Sequence, residues 1–398
     1  MKGFIPRPLV FRTALVATAL AAGTSITQAQ SAGKAYRSVS VGAMHACGVR
    51  KDFSIYCWGN GSYGQLGNGR VVDADLGPVR VQSALRFRQV SAGATHTCAL
   101  TVDGALYCWG TDVSGVLGDA VLTELCQGTR CSATPVPVGG TLRFDTLTVG
   151  YEHSCALNDG IAYCWGRNEE GQLGRAPSND LCDGVRCGRF LLPVTDRSRF
   201  TSISVRGRHS CALESRRAVC WGDNRYGQLG APLSLASSHV PVSVPATLDF
   251  VALASGGLHS CALTRRGDVA CWGRLPTDAP NEEEDAVRVL SRKTAGTRFI
   301  ALGAGGTHSC ALGADRAIYC WGLALYDRLG ARAGDRCGDL PCSRTPVRVD
   351  REGSFSALSV GGTAACALGS KTVACWGGTA REAAVARHTD SPNEVESP

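Results

Sequence analysis

Several features that are common in proteins are scarce in this 398-residue chain. No stretch shows the i, i+3, i+4, i+7 apolar spacing of an amphipathic helix over a useful length. No apolar run is long enough to span a membrane as a helix, and no lysine–arginine tract of the nucleic-acid-binding kind is present. A nucleophile elbow, a metalloprotease helix motif and a phosphate-binding loop are also lacking. These absences argue against a helical protein and against the commonest enzyme classes.

A repeated Cys-Trp-Gly triplet is abundant instead, and it contains all seven tryptophans. Each triplet belongs to a unit that opens with an aromatic residue, and successive openers lie 49 to 57 residues apart. A period near 50 residues predicts a propeller or a solenoid. The openers are Tyr36, Phe87, Phe144, Phe200, Phe250, Phe299 and Phe355.

Each unit reads as four short strands. In unit two they are residues 87–92, 95–100, 105–109 and 134–138, with a turn signal at 102–104. Seven such units predict an all-β, seven-bladed β-propeller over residues 30–378. Unit seven has no fourth-strand candidate. Residues 379–398 form a polar tail that we expect to be disordered, and Val385 marks the only tail segment apolar enough to add a strand. How the ring closes is left open.

The twenty cysteines fall into ten local pairs. One pair per unit joins the second and third strands, where two cysteines facing each other across a hairpin suit a disulfide. The separation within a pair is ten residues in four units and nine in three, so the turn must absorb one residue to keep both side chains on one face. These pairs are Cys47 with Cys57, Cys98 with Cys108, Cys155 with Cys164, Cys211 with Cys220, Cys261 with Cys271, Cys310 with Cys320, and Cys366 with Cys375.

The amino-terminal region resembles a secretory signal peptide. Residues 1–29 combine Lys2, Arg7 and Arg12 with a short apolar run and a small-residue cleavage site. Together with the cysteine pairs this predicts a secreted protein, whether extracellular, periplasmic or at the cell surface. The formal net charge of +7 falls to +4 when those three basic residues are removed. We therefore expect no nucleic-acid partner and no membrane span.

The repeat resembles that of the regulator-of-chromosome-condensation family. Residues 149–174, 56–67 and 219–230 show this best, and each ends in Gln-Leu-Gly. The resemblance covers residues 36 to about 378 and implies a seven-bladed propeller. The family's founder is a chromatin-bound guanine-nucleotide exchange factor, and secreted bacterial relatives of the fold include an inhibitor of β-lactamases. The final turn is altered to Val116-Leu117-Gly118 and Arg328-Leu329-Gly330, and it is missing in units five and seven.

Six units carry a histidine two positions before the first cysteine, and Ala364 takes the seventh place. A ring of histidines is compatible with a metal site or a pH sensor. Copies related by the propeller axis lie far apart unless they line the channel, however, so we favour histidines that bond neighbouring backbone and fix blade packing. No metal or other cofactor is predicted. The histidines are His45, His96, His153, His209, His259 and His308.

Three further cysteine pairs lie in insertions of about six residues, between the Leu-Gly turn and the fourth strand of units two, three and six. Equivalent insertions map to one face of a repeat fold, often the binding face. Closed loops lose less entropy on binding, although simple stiffening of long loops is an equally good interpretation. The pairs are Cys126 with Cys131, Cys182 with Cys187, and Cys337 with Cys342, and the candidate contact residues beside them are Arg130, Asp183, Arg186, Arg336 and Asp339.

The acidic run at residues 281–285 suggests a Ca²⁺ site or a site for a basic partner. It lacks the alternating oxygen ligands of a calcium loop, so a solvated loop is the better interpretation. The sequence as a whole predicts a monomeric, secreted, non-enzymatic propeller that binds a protein or an envelope macromolecule. The alternatives are an inhibitor of an extracellular enzyme such as a β-lactamase, an enzyme acting on envelope polymers and, last, a nucleotide exchange factor.

Overall fold

The computed structural model describes residues 36–195, 198–275, 288–290, 296–351, 353–370 and 372–378. Within them the chain is a seven-bladed β-propeller, whose blades are antiparallel sheets in chain order. The predicted signal peptide, the polar tail with Val385 and the acidic run at 281–285 lie outside the described residues. No helix in the described part is long and apolar enough to cross a membrane.

Blades 1, 4 and 5 have four strands, as the repeat predicts. Blade 1 contains β1 (Tyr36–Val41), β2 (His45–Arg50), β3 (Ile55–Gly61) and β4 (Val72–Arg80). Blade 4 contains β15 (Phe200–Arg206), β16 (His209–Glu214), β17 (Arg217–Asp223) and β18 (Ser237–Ser243). Blade 5 contains β19 (Phe250–Ser255), β20 (His259–Thr264), β21 (Val269–Gly273) and β22 (Arg288–Leu290).

Blades 2, 3 and 6 have a fifth strand that the repeat does not predict. Blade 2 contains β5 (Phe87–Ala92), β6 (His96–Thr101), β7 (Leu106–Thr111), β8 (Glu124–Cys126) and β9 (Thr129–Val138). Blade 3 contains β10 (Thr146–Val149), β11 (His153–Asn158), β12 (Ile161–Arg167), β13 (Leu181–Cys182) and β14 (Val185–Pro193). Blade 6 contains β23 (Phe299–Ala304), β24 (His308–Gly313), β25 (Ile318–Leu323), β26 (Asp335–Cys337) and β27 (Leu340–Arg348).

Blade 7 shows three strands in its described residues, β28 (Phe355–Val360), β29 (Ala364–Gly369) and β30 (Val373–Gly377). It closes the ring by packing against blade 1. Trp58 shares a buried cluster with Leu368, and the Val41 backbone N–H donates to Ser359 Oγ at 2.9 Å. The closure that the sequence left open is therefore a face-to-face contact between the first and last blades.

The core lies between blades, where each tryptophan packs against the preceding blade. Trp165 of blade 3 is fully buried beside Leu100, Leu106 and Leu117 of blade 2. The other blades repeat this arrangement, so most of the large apolar side chains sit in the junctions. Burying one such side chain contributes about 1.5–3 kcal/mol, which makes each blade depend on its neighbours.

The disulfides tie each blade to itself, and all twenty cysteines lie in the described residues and are bonded. In every blade the two repeat cysteines are direct cross-strand partners, with Cα atoms 4.0 to 4.2 Å apart. These bonds join Cys47 to Cys57, Cys98 to Cys108, Cys155 to Cys164, Cys211 to Cys220, Cys261 to Cys271, Cys310 to Cys320, and Cys366 to Cys375. The insertion bonds join Cys126 to Cys131, Cys182 to Cys187, and Cys337 to Cys342. The structure thus has the ten local pairs that the spacing suggests.

Candidate functional site

The cysteine-closed insertions fold as two-stranded ribbons rather than as irregular loops. In blade 2 the turn residues Gln127 and Gly128 both have positive φ, at 50° and 78°, and in blade 3 Asp183 and Gly184 do the same at 52° and 83°. Two left-handed residues make the tight turn that matches strand twist. Each insertion therefore turns back on itself and adds the short outer strand found in blades 2, 3 and 6.

The ribbons of blades 2 and 3 present the same pair of side chains. Leu125 stands directly opposite Arg130, and Leu181 stands directly opposite Arg186. Both leucines are exposed, at 69% and 64%, while the cysteines beside them are buried. Each of these two disulfide-closed ribbons therefore exposes a leucine next to an arginine. We call Leu125, Arg130, Leu181 and Arg186 the ribbon surface.

The ribbon of blade 3 packs against blade 2 at the turn Val113–Gly115. The Ser114 backbone N–H donates to the Asp183 carboxylate at 3.3 Å. A Cβ on Gly115 would lie 2.9 Å from Cys182 Sγ, so the disulfide packs directly on this glycine. Asp183, predicted as a contact residue, therefore braces the neighbouring blade as well as being exposed.

An ion pair joins blades 2 and 3 next to the blade 2 ribbon. Arg189 of blade 3 contacts the buried carboxylate of Asp112 in blade 2. Burial raises the pKa of Asp112, and the hydrogen bond from Arg189 opposes that rise. The Asp112 backbone N–H also donates to the Arg130 carbonyl at 2.7 Å, which fixes the blade 2 ribbon. Sequence reasoning missed Asp112 and Arg189 because their pairing spans 77 positions and leaves no local signal.

The ribbon of blade 6 stands apart, three blades further round the ring. Its exposed leucine is Leu340, which faces Cys337 rather than an arginine. Arg336 bonds within the ribbon, donating to the Asp339 carbonyl at 2.6 Å. Two of the three predicted loops therefore lie on adjacent blades, and the third is separate. The sequence signal for the adjacent pair was a leucine immediately before the first cysteine, present in units two and three but not in unit six.

The repeated histidines lie between blades. His153 Nε2 is 2.9 Å from Ser210 Oγ of the next blade, and that hydroxyl donates to the Gln172 carbonyl at 2.8 Å. Because the one hydroxyl hydrogen is used there, the imidazole Nε2–H is the donor. Five of the six histidines thus bond across a blade junction, through a side-chain hydroxyl rather than through backbone as expected.

Burial keeps these histidines neutral. It lowers the pKa of His45, His96, His153 and His209 to about 3 and that of His259 to about 4. Their Nε2 atoms face a single hydroxyl of the next blade rather than one another. Within the described residues, no group of three His, Cys, Asp or Glu side chains is placed to hold a metal ion.

The repeats, the ring and the inter-blade bonds define a disulfide-rich propeller built from a single recurring unit. The chain belongs to the Regulator of chromosome condensation (RCC1) repeat family. One RCC1 repeat model matches residues 54–100, 159–213 and 219–263. A second RCC1 repeat model matches residues 36–65, 87–115 and 145–172.

Two relatives and one solved structure illustrate the similarity. The ultraviolet-B receptor UVR8 of Arabidopsis thaliana is 32% identical over 243 residues, which are 60% of this chain and 53% of the receptor. The Regulator of chromosome condensation of Mus musculus is 31% identical over 276 residues, 63% of this chain and 64% of the relative. The chain thus spans between half and two thirds of these relatives' length. The crystal structure of Prp20p from Saccharomyces cerevisiae superposes with a TM-score of 0.69 at 21% identity, over 87% of this chain and 83% of Prp20p, which is a likeness of fold.

Proposed function

We propose that this protein is a secreted binding module that docks a protein partner on the ribbon surface, without catalysis or cofactor. The observation that carries the proposal is the repeated Leu–Arg pair on two adjacent, disulfide-closed ribbons. Preformed contact residues lose less conformational entropy on binding than residues on an open loop. Stiffening of the insertions and partner binding are therefore compatible roles of the same disulfides.

The chemistry of the ribbon surface indicates what the partner offers. Two mostly exposed leucines gain free energy when an apolar partner surface removes them from water. Arg130 and Arg186 stand directly beside them, and arginine binds carboxylates through paired N–H donors. We therefore propose a partner whose docking surface is an apolar patch bordered by acidic side chains.

Two further observations support the proposal. Ten disulfides in one chain are typical of an oxidising compartment, where the proposed partner would also be found. The Prp20p structure is described together with that protein's binding to Gsp1p and histones, so a propeller of this fold serves elsewhere as a protein-binding scaffold.

The test compares four immobilised proteins, each lacking residues 1–29. They are the unaltered sequence, the pair Leu125→Ser and Leu181→Ser, the pair Arg130→Glu and Arg186→Glu, and a control with Leu340→Ser and Arg336→Glu on the blade 6 ribbon. Extracellular and envelope extracts of the source organism are passed over each column. We expect one retained species to bind the unaltered protein and the control, and to be lost from both ribbon-surface variants.

The retained partner is then purified and its Kd measured by calorimetry. Either ribbon-surface pair should weaken binding at least tenfold, or about 1.4 kcal/mol, while the blade 6 control stays within twofold. Equal retention by all four columns would show that the ribbon surface is not the docking site. If the partner is an enzyme, an activity assay with added propeller tests whether docking inhibits it.

A further inference from the structure

One position of the inner ring departs from the repeat. In six units the residue directly after the first strand is a glycine. In unit four the equivalent residue is Arg206, which ends the first strand. Close approach of the next blade forces five of these six glycines; a Cβ on Gly42, for example, would lie 2.2 Å from the Gly93 carbonyl oxygen. The other members of this set are Gly93, Gly150, Gly256, Gly305 and Gly361.

In blade 4 the close backbone contact with the next blade is made one residue later, at Gly207, so position 206 can hold an arginine. Gly207 has φ of 53°, and a Cβ there would lie 2.3 Å from the Gly257 carbonyl oxygen. Gly207 therefore takes over the tight approach to blade 5. This leaves the side chain of Arg206 among the residues that line the central channel.

Arg206 crosses the channel to the far side of the ring. Its Nη2 donates to the Val360 carbonyl of blade 7 at 2.8 Å and lies 3.5 Å from the Val41 carbonyl oxygen of blade 1. Its guanidinium lies 5.5 Å from the ring centroid of Tyr151. Tyr151 is a second departure, because the other six units have alanine or glycine at this place.

The charge of Arg206 has no acidic partner among the described residues. The side chain is 8% exposed, and its Nη1 atom is buried without a hydrogen-bond acceptor. The ion pairs found in the described part of the chain do not include it. A buried cation without a counter-charge is costly, so this arrangement favours a negatively charged ligand at Nη1.

The channel offers further donors to such a ligand. Its volume is about 190 Å³. One water molecule occupies about 30 Å³ in the liquid, so the channel has room for a small ion. Arg206 is the one charged side chain among the described residues that line it. Five hydroxyls in the wall accept a backbone N–H of the neighbouring blade, which leaves each hydroxyl hydrogen to be donated elsewhere. These belong to Ser40, Ser91, Thr148, Ser204 and Ser359.

We propose that the channel binds a small anion, of the size of chloride, phosphate or a free carboxylate, on Nη1 of Arg206. The wall hydroxyls serve as additional donors, and Tyr151 packs against the guanidinium. This site is separate from the ribbon surface and does not depend on the proposed partner. It explains why Tyr151 in unit three and Arg206 in unit four replace the glycine or alanine of the other units.

The test uses the full chain and three sodium salts: chloride, phosphate and acetate. Each is titrated against the sodium salt of a bulky sulfonate at constant ionic strength, while thermal unfolding is followed. At least one of the small anions should raise the Tm saturably. Arg206→Gly, which restores the residue of the other six units, and Arg206→Gln, which keeps the length without the charge, should weaken that anion at least tenfold.

The matched control is Arg208→Ala, which removes an arginine two positions away that lies 3.5 Å from Glu170. It should respond to anions as the unaltered protein does. Bromide soaked into crystals should give an anomalous peak beside Nη1 of Arg206. Comparison of the chloride, phosphate and acetate titrations identifies which anion binds best. The proposal is overturned if none of the three anions shifts the Tm, if both Arg206 variants respond like the unaltered protein, or if bromide is absent from the channel.

Discussion

A histidine, a hydroxyl and a carbonyl form a recurring chain of hydrogen bonds between neighbouring blades. At the junction of blades 4 and 5, His209 Nε2 lies 2.8 Å from Ser260 Oγ, which donates to the Gln228 carbonyl of blade 4 at 3.1 Å. Trp272 Nε1 donates to the same carbonyl at 3.0 Å. At the junction of blades 6 and 7 the hydroxyl is missing, because Ala365 occupies its place, and both ring nitrogens of the buried His308 lack a partner.

Adding the missing hydroxyl should stabilise the protein. Ala365→Ser places an oxygen where His308 Nε2–H needs an acceptor, and we expect a gain of about 1 kcal/mol and a rise in Tm of roughly 2 °C. The reciprocal control, Ser309→Ala, removes the hydroxyl that His259 contacts at 2.8 Å and should cost about 1–3 kcal/mol. Thermal unfolding by circular dichroism measures both. A lower Tm for Ala365→Ser would contradict this account of the junction.

The sequence predicted that these histidines are structural but not what they contact. The spacing of His and Cys placed them on the second strand of every blade, which is a local property. Their partners lie about 50 positions further along the chain, in a blade whose approach depends on packing. A serine or threonine directly after the histidine in five units was the available signal.

At the scale of the element, hairpin loops explain how two cysteine spacings give one geometry. Blades 3 and 4 have two-residue loops, and in blade 3 both Asp159 and Gly160 are left-handed. Blades with a separation of ten have a third loop residue that is left-handed, such as Gly104 in blade 2. A three-residue loop with a left-handed last residue keeps the strand register. The requirement that the turn absorb one residue was therefore correct.

Loop exchange tests this explanation. Replacing residues 102–104 of blade 2 by Asp-Gly, the loop of blade 3, shortens the separation of Cys98 and Cys108 to nine. We expect the disulfide to form and the stability to change by less than about 1.5 kcal/mol, because the cross-strand register is unchanged. Thiol titration under denaturing conditions should find no free cysteine. Inserting one alanine between Ala99 and Leu100 is the control and should leave two free thiols, since a one-residue slip reverses the side-chain direction.

The ribbons show where pattern reading stopped short. The Asp-Gly dipeptide of unit three is a hairpin signal, yet the flanking segment is too short to be recognised as a pair of strands. The position of the blade 3 ribbon relative to blade 2 depends on how it packs against Ser114 and Gly115. Such a contact between units is set by the ring rather than by either unit's sequence.

For the whole molecule, the six junction histidines make folding sensitive to acid. Burial lowers the pKa of five of them to about 3 or 4 and that of His308 well below its usual value. An unfolded histidine titrates near 6.5, so between these values the unfolded state binds more protons. Their contribution to stability is complete above about pH 6.5 and is lost as the pH falls towards 3.

We therefore expect the free energy of unfolding to fall between pH 6.5 and 4, with each histidine contributing up to about 1.4 kcal/mol per pH unit. Urea titrations at a series of pH values measure this slope. His45→Gln should make the slope shallower by about one proton than in the unaltered protein. A slope equal to that of the unaltered protein would show that His45 is not neutral in the folded protein.

The ring itself was the most predictable feature, because seven copies of one unit permit few other architectures. Its closure was not predictable, since Val41 and Ser359 meet only when the two ends of the propeller come together. The departures at Arg206 and Tyr151 were visible in the aligned units. Their meaning required the geometry of the channel.

All ten disulfides join cysteines at most ten positions apart, and none links two blades. Each can thus be oxidised as soon as its own hairpin has entered an oxidising compartment, without waiting for a later part of the chain. Correct pairing then follows the order of chain emergence, since each cysteine meets its partner before the cysteines of the next blade appear. A protein with twenty cysteines in this arrangement has little need of a thiol-shuffling step.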